Sequence, residues 1–144
     1  MNLKELLKDK MIQEIKTDKR LIFKSFRKGL ADIKVAKEVI KTGNYDWVLA
    51  IAYNAMLQGG RALMFSKGYR PMGSYKHLAT VKFVHIMFGK EITDRMIHIF
   101  NSMRKKRNRI TYDEIDIVSE DEARSAIKFA EEFLRKVKDI LNIN

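Results

Sequence analysis

The spacing of apolar residues is the feature of this sequence that most restricts its fold. Nearly throughout the chain, apolar residues recur every three or four positions, which is the period of an α-helix. Helix breakers are scarce, because the 144 residues include one proline and seven glycines. The pattern therefore predicts an all-α fold of long helices rather than a β fold with many turns. The most regular apolar stripe lies near the end of the chain, at Ala123, Ile127, Ala130, Leu134, Val137 and Leu141.

Three helices are predicted in the first half of the chain. A four-residue repeat indicates a short helix within an N-terminal helical extension over residues 1–16. The repeat consists of Leu3, Leu7 and Met11. A second helix is predicted over residues 18–41, with Gly43 as its stop signal. Its stripe consists of Ile22, Phe26, Leu30 and Ile33. Asn44 is expected to cap a third helix that ends near Phe65. One face of this third helix carries small residues, which allow a neighbouring helix to approach closely, at Val48, Ala52, Ala55, Gly59 and Ala62.

The second half of the chain begins with a predicted loop. The stretch S-K-G-Y-R-P-M-G-S, residues 66–74, contains two glycines and the proline, which favour turns. Ser74 is expected to cap a fourth helix that ends near Gly89, and a fifth helix is predicted over residues 91–110.

The connections between the predicted helices indicate how the helices are arranged. Ser119 and Glu122 have the spacing of a capping box at the start of the last helix. Short loops between long helices predict antiparallel neighbours. The expected architecture is therefore an up-and-down bundle of four to five long helices plus the short N-terminal helix. We expect one domain over residues 1–144, with residues 18–142 as the core bundle.

The charge of the chain suggests the class of partner. The net charge of +11 attracts polyanions such as nucleic acids and speeds their encounter, although a lysine-rich proteome gives the same excess without any function. The sequence contains no run of about 18 apolar residues, so no membrane span is predicted. The first ten residues lack the apolar block of a secretory signal. The absence of cysteine excludes disulfides and thiolate zinc sites, which fits a cytoplasmic protein.

Five cations lie within residues 104–109, but they are not equivalent. At about 100° per residue, Arg107 falls beside the apolar stripe of the fifth helix, and Lys106 borders the other side of that stripe. The stripe consists of Ile92, Met96, Ile99, Met103 and Ile110, with Phe100 on its flank. Lys105 and Arg109 point away from it and resemble ordinary solvated charges. Arg104 belongs to the same basic run.

Arg107 needs an acceptor because it emerges next to apolar side chains. The acceptor could be a carboxylate such as Asp113, a carbonyl at the helix end, or a phosphate. Cations in a last helical turn are also favoured by the helix dipole, so a purely structural role stays open. The acidic stretch that follows suits the positive end of the last helix better than a metal site, and neither a metal nor a cofactor is expected. This stretch comprises Asp113, Glu114, Asp116, Glu120, Asp121 and Glu122.

Three features of the sequence carry a resemblance. They are the aromatic and small residues Tyr53, Ala55, Met56 and Arg61; the loop G-Y-R-P-x-G-S-x-x-H from Gly68 to His77; and the pair Arg107 and Asn108. Occurring in this order, they resemble the HEPN family, whose name stands for higher eukaryotes and prokaryotes nucleotide-binding. The likeness covers about residues 18–142.

The resemblance implies a bundle of four or five antiparallel helices and a homodimer. Family members that cut RNA carry a motif Arg-x(4–6)-His at the dimer interface, where two copies face each other. Many small prokaryotic members are paired with a minimal nucleotidyltransferase in toxin–antitoxin operons. In such pairs the nucleotidyltransferase can modify a tyrosine near the motif. Tyr112 is the candidate here, although the position that usually carries the tyrosine is Glu114.

The sequence departs from the nuclease motif at its histidine. Tyr112 stands five residues after Arg107, Asp113 follows it, and no histidine occurs after His98. This ending looks more like the HEPN subgroup that carries Asp-Tyr at this point, with Thr111 in place of the aspartate.

The replacement of histidine by tyrosine changes the expected chemistry. Metal-free RNA cleavage needs a group that moves protons near neutral pH, and a tyrosine pKa near 10 suits this poorly. We therefore expect weak or absent ribonuclease activity through the motif. Tyr112 could instead be a half-buried packing residue or donate a hydrogen bond across a dimer. His77 with Ser74 and Arg61 is the alternative constellation. His85 is expected in the core, and His98 is expected to be exposed or packed on a neighbouring helix.

The sequence thus predicts a dimeric HEPN-like protein that binds RNA or nucleotide phosphates and acts with a nucleotidyltransferase in a toxin–antitoxin or defence pair. The predicted binding residues are Arg104, Lys106, Arg107, Arg61, Ser74 and His77. One rival is a metal-independent endoribonuclease at the dimer interface, with Arg107, Asn108 and Tyr112 as its catalytic residues. The other rival is a non-catalytic dimeric interaction module.

Overall fold

The computed structural model describes residues 1–112 and 114–143. These residues form six α-helices, a short 3-10 turn and a two-stranded antiparallel sheet. The helices are α1 Leu3–Lys8, α2 Lys19–Val39, α3 Tyr45–Ser66, α4 Lys76–Phe88, α5 Asp94–Tyr112 and α6 Glu120–Leu141. The strands are β1 Ile12–Glu14 and β2 Tyr69–Pro71, and the 3-10 turn is Ile40–Thr42. The predicted all-α, up-and-down bundle is confirmed. Within the described residues, no helix is both long and apolar enough to cross a membrane.

Helix α3 is the centre of the bundle and contacts α2, α4, α5 and α6. Its predicted small face is buried throughout. A Cβ atom on Gly59 would lie 2.7 Å from Leu134 Cδ2 of α6, and one on Gly29 of α2 would lie 3.0 Å from the Ala55 carbonyl oxygen. The small residues therefore set how closely α2 and α6 approach α3.

The helix signals near α3 and α6 are confirmed. Gly43 has a φ of 80°, which ends the α2 segment in the left-handed region that favours glycine. Asn44 Oδ1 accepts a hydrogen bond from the Trp47 backbone N–H at 3.3 Å. Ser119 and Glu122 form the complete capping box.

The start of α4 differs from the prediction that Ser74 caps it. The helix begins at Lys76, and Tyr75 occupies the cap position, where its side chain forms no capping hydrogen bond with the described residues. Ser74 lies exposed before the helix, directly after Gly73, whose φ is 80°. Ser74 therefore lies one position before the residue that caps the helix.

The N-terminal segment differs from the predicted helical extension over residues 1–16. Helix α1 ends at Lys8, and Lys10 adopts a φ of 55°, which turns the chain out of the helix. Strand β1 then pairs with β2, with Gln13 opposite Arg70. Ile12 is buried in the same core as Leu6, so this segment packs on the bundle. Three-residue strands are too short to show an alternating pattern in a sequence.

Two further predictions about single residues are wrong. Leu30 is 42% exposed, because Gly29 and Ile33 occupy the buried face of α2 instead. The His85 side chain is 57% exposed and its Nε2 lies 3.6 Å from Asp94 Oδ1, so His85 is a surface residue and not a core histidine. His98 is exposed, which is the first of its two predicted placements.

The connection between α5 and α6 is held by one carboxylate of α3. Asp46 Oδ2 accepts a hydrogen bond from the Asp116 backbone N–H at 2.6 Å. Asp46 Oδ1 accepts from the N–H groups of Ile117 at 3.1 Å and Val118 at 3.0 Å. The first turn of α3 therefore fixes where α5 ends and α6 begins.

Replacing Asp46 with alanine is expected to destabilise the fold by about 1.5–3 kcal/mol, because three backbone donors lose a charged acceptor. Chemical denaturation measures the change. Asp121→Ala is the matched control, since Asp121 is also an acid in the first turn of a helix. An equally large loss in Asp121→Ala would mean that the helix dipole, and not the three hydrogen bonds accepted by Asp46, provides the stability.

Candidate functional site

Helix α5 carries two arginines on the face that turns toward α3. Phe100 is fully buried, with its ring centroid 5.9 Å from that of Tyr53 and 5.2 Å from that of Phe133. Arg104 and Arg107 follow Phe100 by four and seven residues and therefore share its face of the helix. The aromatic contacts thus orient both guanidinium groups toward the side of the bundle where Tyr53 lies.

A tyrosine–histidine pair lies beside these arginines. The Tyr53 hydroxyl and His77 Nδ1 are 3.0 Å apart and share a hydrogen bond between α3 and the first turn of α4. Burial raises the pKa of the Tyr53 hydroxyl. Burial, followed by the charges of Arg107, Arg61 and Arg104, lowers the pKa of His77 below 6.5. Both groups are therefore neutral at pH 7, and the surroundings of His77 are electropositive.

Arg107, Tyr53 and His77 line a cavity of about 630 Å³. The other polar wall comes from α2 and α3, where the buried carboxylate of Asp32 accepts hydrogen bonds from Lys28 Nζ at 2.6 Å and Asn54 Nδ2 at 2.7 Å. Apolar side chains complete the lining, at Val35, Trp47, Ile51 and Ile110. A concave site with few convergent polar groups and an apolar remainder is typical of ligand sites.

Arg107 has no ion-pair or hydrogen-bond partner for its side chain among residues 1–112 and 114–143. Its neighbour Arg104 donates a hydrogen bond from Nε to Asn101 Oδ1 at 2.9 Å. The carboxylate suggested by the sequence, Asp113, lies outside the described residues. Arg107 therefore lies half-buried in the cavity wall, with no acceptor for its guanidinium among the described residues.

The other predicted binding residues are distributed more widely. Lys106 pairs with Glu122 of α6, on a different side of α5 from Arg107. Ser74 is exposed on the loop before α4, away from the cavity lining. Arg61 lies two turns beyond Tyr53 on α3, and its charge acts on both Tyr53 and His77.

The predicted catalytic residues after Arg107 are not among the residues that line the cavity. Asn108 is half-buried on α5 but does not belong to the cavity lining. The Tyr112 side chain is 76% exposed at the end of α5, so the interpretation of Tyr112 as a half-buried packing residue is wrong. His77, rather than Tyr112, shares a cavity with Arg107.

Sequence reasoning missed the carboxylate side of the cavity. Asp32 interrupts the buried face of α2, between Gly29 and Ile33, and is only 5% exposed. An acidic residue within an apolar helix face indicates that a hydrogen-bond donor or a cation lies beside it in the fold. Its partner Asn54 is a neighbour of Tyr53 in the sequence, but the contact depends on how α2 packs against α3.

The sequence model of the HEPN domain family matches residues 23–140, which is most of the chain. The chain belongs to the HEPN domain family. The resemblance seen in the three sequence features is thereby confirmed at the level of the family. Among curated proteins, none matches the chain. In this HEPN domain the matched region contains every residue that lines the Arg107 cavity, from Lys28 of α2 to Thr111 of α5.

Lowering the pH is expected to destabilise the fold through His77. Because folding lowers the pKa of His77 below its ordinary value of 6.5, the stability of the neutral ring is fully present above about pH 6.5. It is lost progressively as the pH falls from there through the lower pKa of the folded state. Denaturation midpoints at about pH 7.5 and about pH 5.5 measure the effect. The loss is expected to be smaller in His77→Asn, which keeps a polar group but takes up no proton. Equal losses in both proteins would contradict the role of His77.

Proposed function

We propose that this HEPN domain binds RNA or nucleotide phosphates in the Arg107 cavity. The observation that carries the proposal is the half-buried Arg107 guanidinium, which lines the cavity beside the neutral Tyr53–His77 pair and has no anionic partner among the described residues. A guanidinium can hold two phosphate oxygens with two parallel hydrogen bonds. A phosphate is therefore the anion that best matches this group.

The local charge supports the same ligand class. Burial is the largest cause that lowers the pKa of His77, and the charges of Arg107, Arg61 and Arg104 lower it further, so all three cations act at this ring. A net charge of +11 adds long-range attraction for a polyanion.

A second copy of the chain is proposed to complete the site. Val35 and Trp47 line the cavity, yet their side chains are 48% and 55% exposed. Large apolar groups at the rim of a polar cavity are typical of a surface that another protein covers. A homodimer formed there would bring two Arg107 side chains to one interface, as in the family members that the sequence resembles.

A minimal nucleotidyltransferase is the proposed partner, in a cytoplasmic toxin–antitoxin or defence pair. This part of the proposal rests on the resemblance to small prokaryotic HEPN proteins. The high exposure of Tyr112 supports it, because an enzyme can reach that hydroxyl without unfolding α5.

Arg107→Ala is expected to weaken RNA binding by about tenfold or more, because it removes charge-assisted hydrogen bonds to phosphate. Filter binding with a labelled single-stranded RNA at two salt concentrations measures the affinity. The matched control is Lys105→Ala, which removes one charge from an exposed position two residues away. The control is expected to lose about twofold or less, as a screened surface charge does.

Equal losses in the two variants would mean that the protein binds RNA only through its overall positive charge and not through a specific site at Arg107. Sedimentation of both variants separates the third possibility, a non-catalytic interaction module. In that case Arg107→Ala would shift the monomer–dimer equilibrium and leave the affinity for RNA unchanged.

A metal-independent endoribonuclease is the second candidate function, and His77 is the observation that favours it. If Nδ1–H donates to the Tyr53 oxygen, Nε2 of the neutral ring is a free base near Arg107. It could take the proton of a 2′-hydroxyl as that oxygen attacks phosphorus. The bond from phosphorus to the 5′-oxygen breaks, the 5′-oxygen takes a proton from water, and the products are a 2′,3′-cyclic phosphate and a 5′-hydroxyl. Arg107 would stabilise the charged phosphorane.

If the chain cleaves RNA, cleavage in EDTA is expected to fall by about 10²–10⁴ in His77→Asn, which loses the general base. Arg107→Ala is expected to abolish it, whereas Tyr112→Phe is expected to keep it. Denaturing gels of end-labelled RNA measure the products. Cleavage that survives in His77→Asn but disappears in Tyr112→Phe would assign the proton step to the tyrosine instead.

A further inference from the structure

A groove of about 370 Å³ lies between residues 23–33 of α2 and residues 131–143 in and after α6. Helix α2 packs closely along α3 but contacts α6 less extensively, which leaves this α2–α6 groove open. The α2 residues that line it lie about opposite to those that line the Arg107 cavity, counted at about 100° per residue. The described linings of the two sites have no residue in common.

The floor of the α2–α6 groove is apolar and has the spacing of a surface that packs against a helix. Its apolar residues on α2 follow one another at intervals of three, four and three positions, which is the a/d pattern of a helix–helix seam. They are Phe23, Phe26, Leu30 and Ile33. Phe26 and Ile33 are buried in the bundle, whereas Phe23 is half-buried and Leu30 is 42% exposed. The described residues therefore cover only half of the seam.

The open seam is long enough for about three turns of a partner helix. From Phe23 to Ile33, helix α2 rises about 15 Å at about 1.5 Å per residue. Leu134 of α6 forms the opposite apolar wall. An amphipathic helix laid into such a groove presents apolar anchors on one face, three, four and seven positions apart.

The rim of the groove carries three cations that form no ion pair among residues 1–112 and 114–143. They are Arg27, Arg135 and Lys138. The Arg27 Cζ atom lies 5.6 Å from the centroid of the Phe23 ring, which holds this guanidinium at the edge of the apolar floor. The one acid of the described lining, Glu131, already pairs with Lys37 at 3.0 Å. The groove is therefore complementary to a partner that is apolar on one face and acidic beside it.

A second copy of this chain does not have that chemistry. In a two-fold interface a patch meets itself, so the rim cations of one copy would face those of the other. A head-to-tail contact would need a free acidic helix face. The three consecutive acids of the chain are residues 120–122, and Glu120 already pairs with Arg124 and Glu122 with Lys106.

We propose that the α2–α6 groove binds an acidic amphipathic helix of another protein, with the apolar face of that helix on Phe23 and Leu30 and its carboxylates on Arg135 and Lys138. The apolar anchors provide the affinity. The charge pairs select an acidic helix and speed its encounter. The proposal stands independently of RNA binding, because no residue of the groove lines the Arg107 cavity.

Fluorescence anisotropy with a synthetic peptide tests the proposal on the full chain. The probe is a labelled peptide of about 20 residues, with leucines at a and d positions and alanines and glutamates elsewhere. A peptide of the same composition whose leucines are scattered around the helix is expected to bind about tenfold more weakly or worse. A peptide with lysines in place of the glutamates is expected not to bind measurably.

Leu30→Glu is expected to weaken binding of the acidic peptide by about tenfold or more, because it places a carboxylate on the apolar floor. The matched control is Leu21→Glu, the same replacement at an exposed leucine of the same helix outside the groove. The control is expected to change the affinity by about twofold or less. Arg135→Glu is expected to weaken binding by about fivefold at low salt and by less at high salt. Arg135 is exposed, so this variant keeps the test valid if Leu30→Glu fails to fold.

Three results would overturn the proposal directly. They are no binding of the acidic peptide at about 0.1 mM protein, an equal loss in Leu21→Glu, and equal binding of the peptide with scattered leucines. The last result would mean that only the overall charge of the protein attracts the peptide.

Three further results would give the groove to another occupant and overturn the proposal as well. A dimer in sedimentation that Leu30→Glu dissociates would assign it to a second copy. An equal loss of RNA affinity in Leu30→Glu would assign it to RNA, and loss of binding to phosphatidylglycerol vesicles in that variant would assign it to a membrane surface. Arg107→Ala is expected to leave peptide binding unchanged, so failure of the RNA proposal is distinguishable from failure of this one.

Discussion

The close approach of α2 and α6 to α3 is the constraint on which the rest of this structure depends. Gly29, Ala55 and Gly59 leave room for neighbouring backbone and side chains where a larger residue would collide. The tight packing keeps Tyr53 on the inner face of α3, within reach of His77 of α4 and Phe100 of α5. Since Phe100 fixes the rotation of α5, the direction of Arg107 follows from the same packing. A more loosely packed bundle would leave these side chains without a common cavity.

The acids at the junction of α5 and α6 pair with cations other than Arg61, Arg104 and Arg107. Glu114 pairs with Arg109, Glu120 with Arg124 and Glu122 with Lys106. The acidic residues that follow Arg109 in the sequence thus mainly form ion pairs at the junction of α5 and α6. The arginines that face Tyr53 and His77 lie outside these pairings within the described residues. Together with burial, which is the larger cause, their charges lower the pKa of His77.

The sequence predicted the helices and several of their ends because those signals are local. Asn44, Ser119 and the α6 stripe act within one or two helical turns, so spacing alone reveals them. Ser74 failed as a cap and His85 failed as a core residue because their surroundings come from other elements. The position of Arg107 could be predicted from its angle on the helix. The pairing of Tyr53 with His77, and the presence of Asp32 opposite them, could not, because each depends on contacts between residues more than 20 positions apart.

The pairing of β1 with β2 attaches the first part of the chain to the helical core, although this part lies outside the region that the family model matches. The family match begins at residue 23, yet Leu6 and Ile12 are buried in the same core as the long helices. A fragment cut at that boundary would leave β2 as an unpaired edge and uncover the apolar surface beneath Leu6. The region that the family model matches is therefore smaller than the packed unit of this structure, and a chain that began at residue 23 would expose apolar surface to solvent.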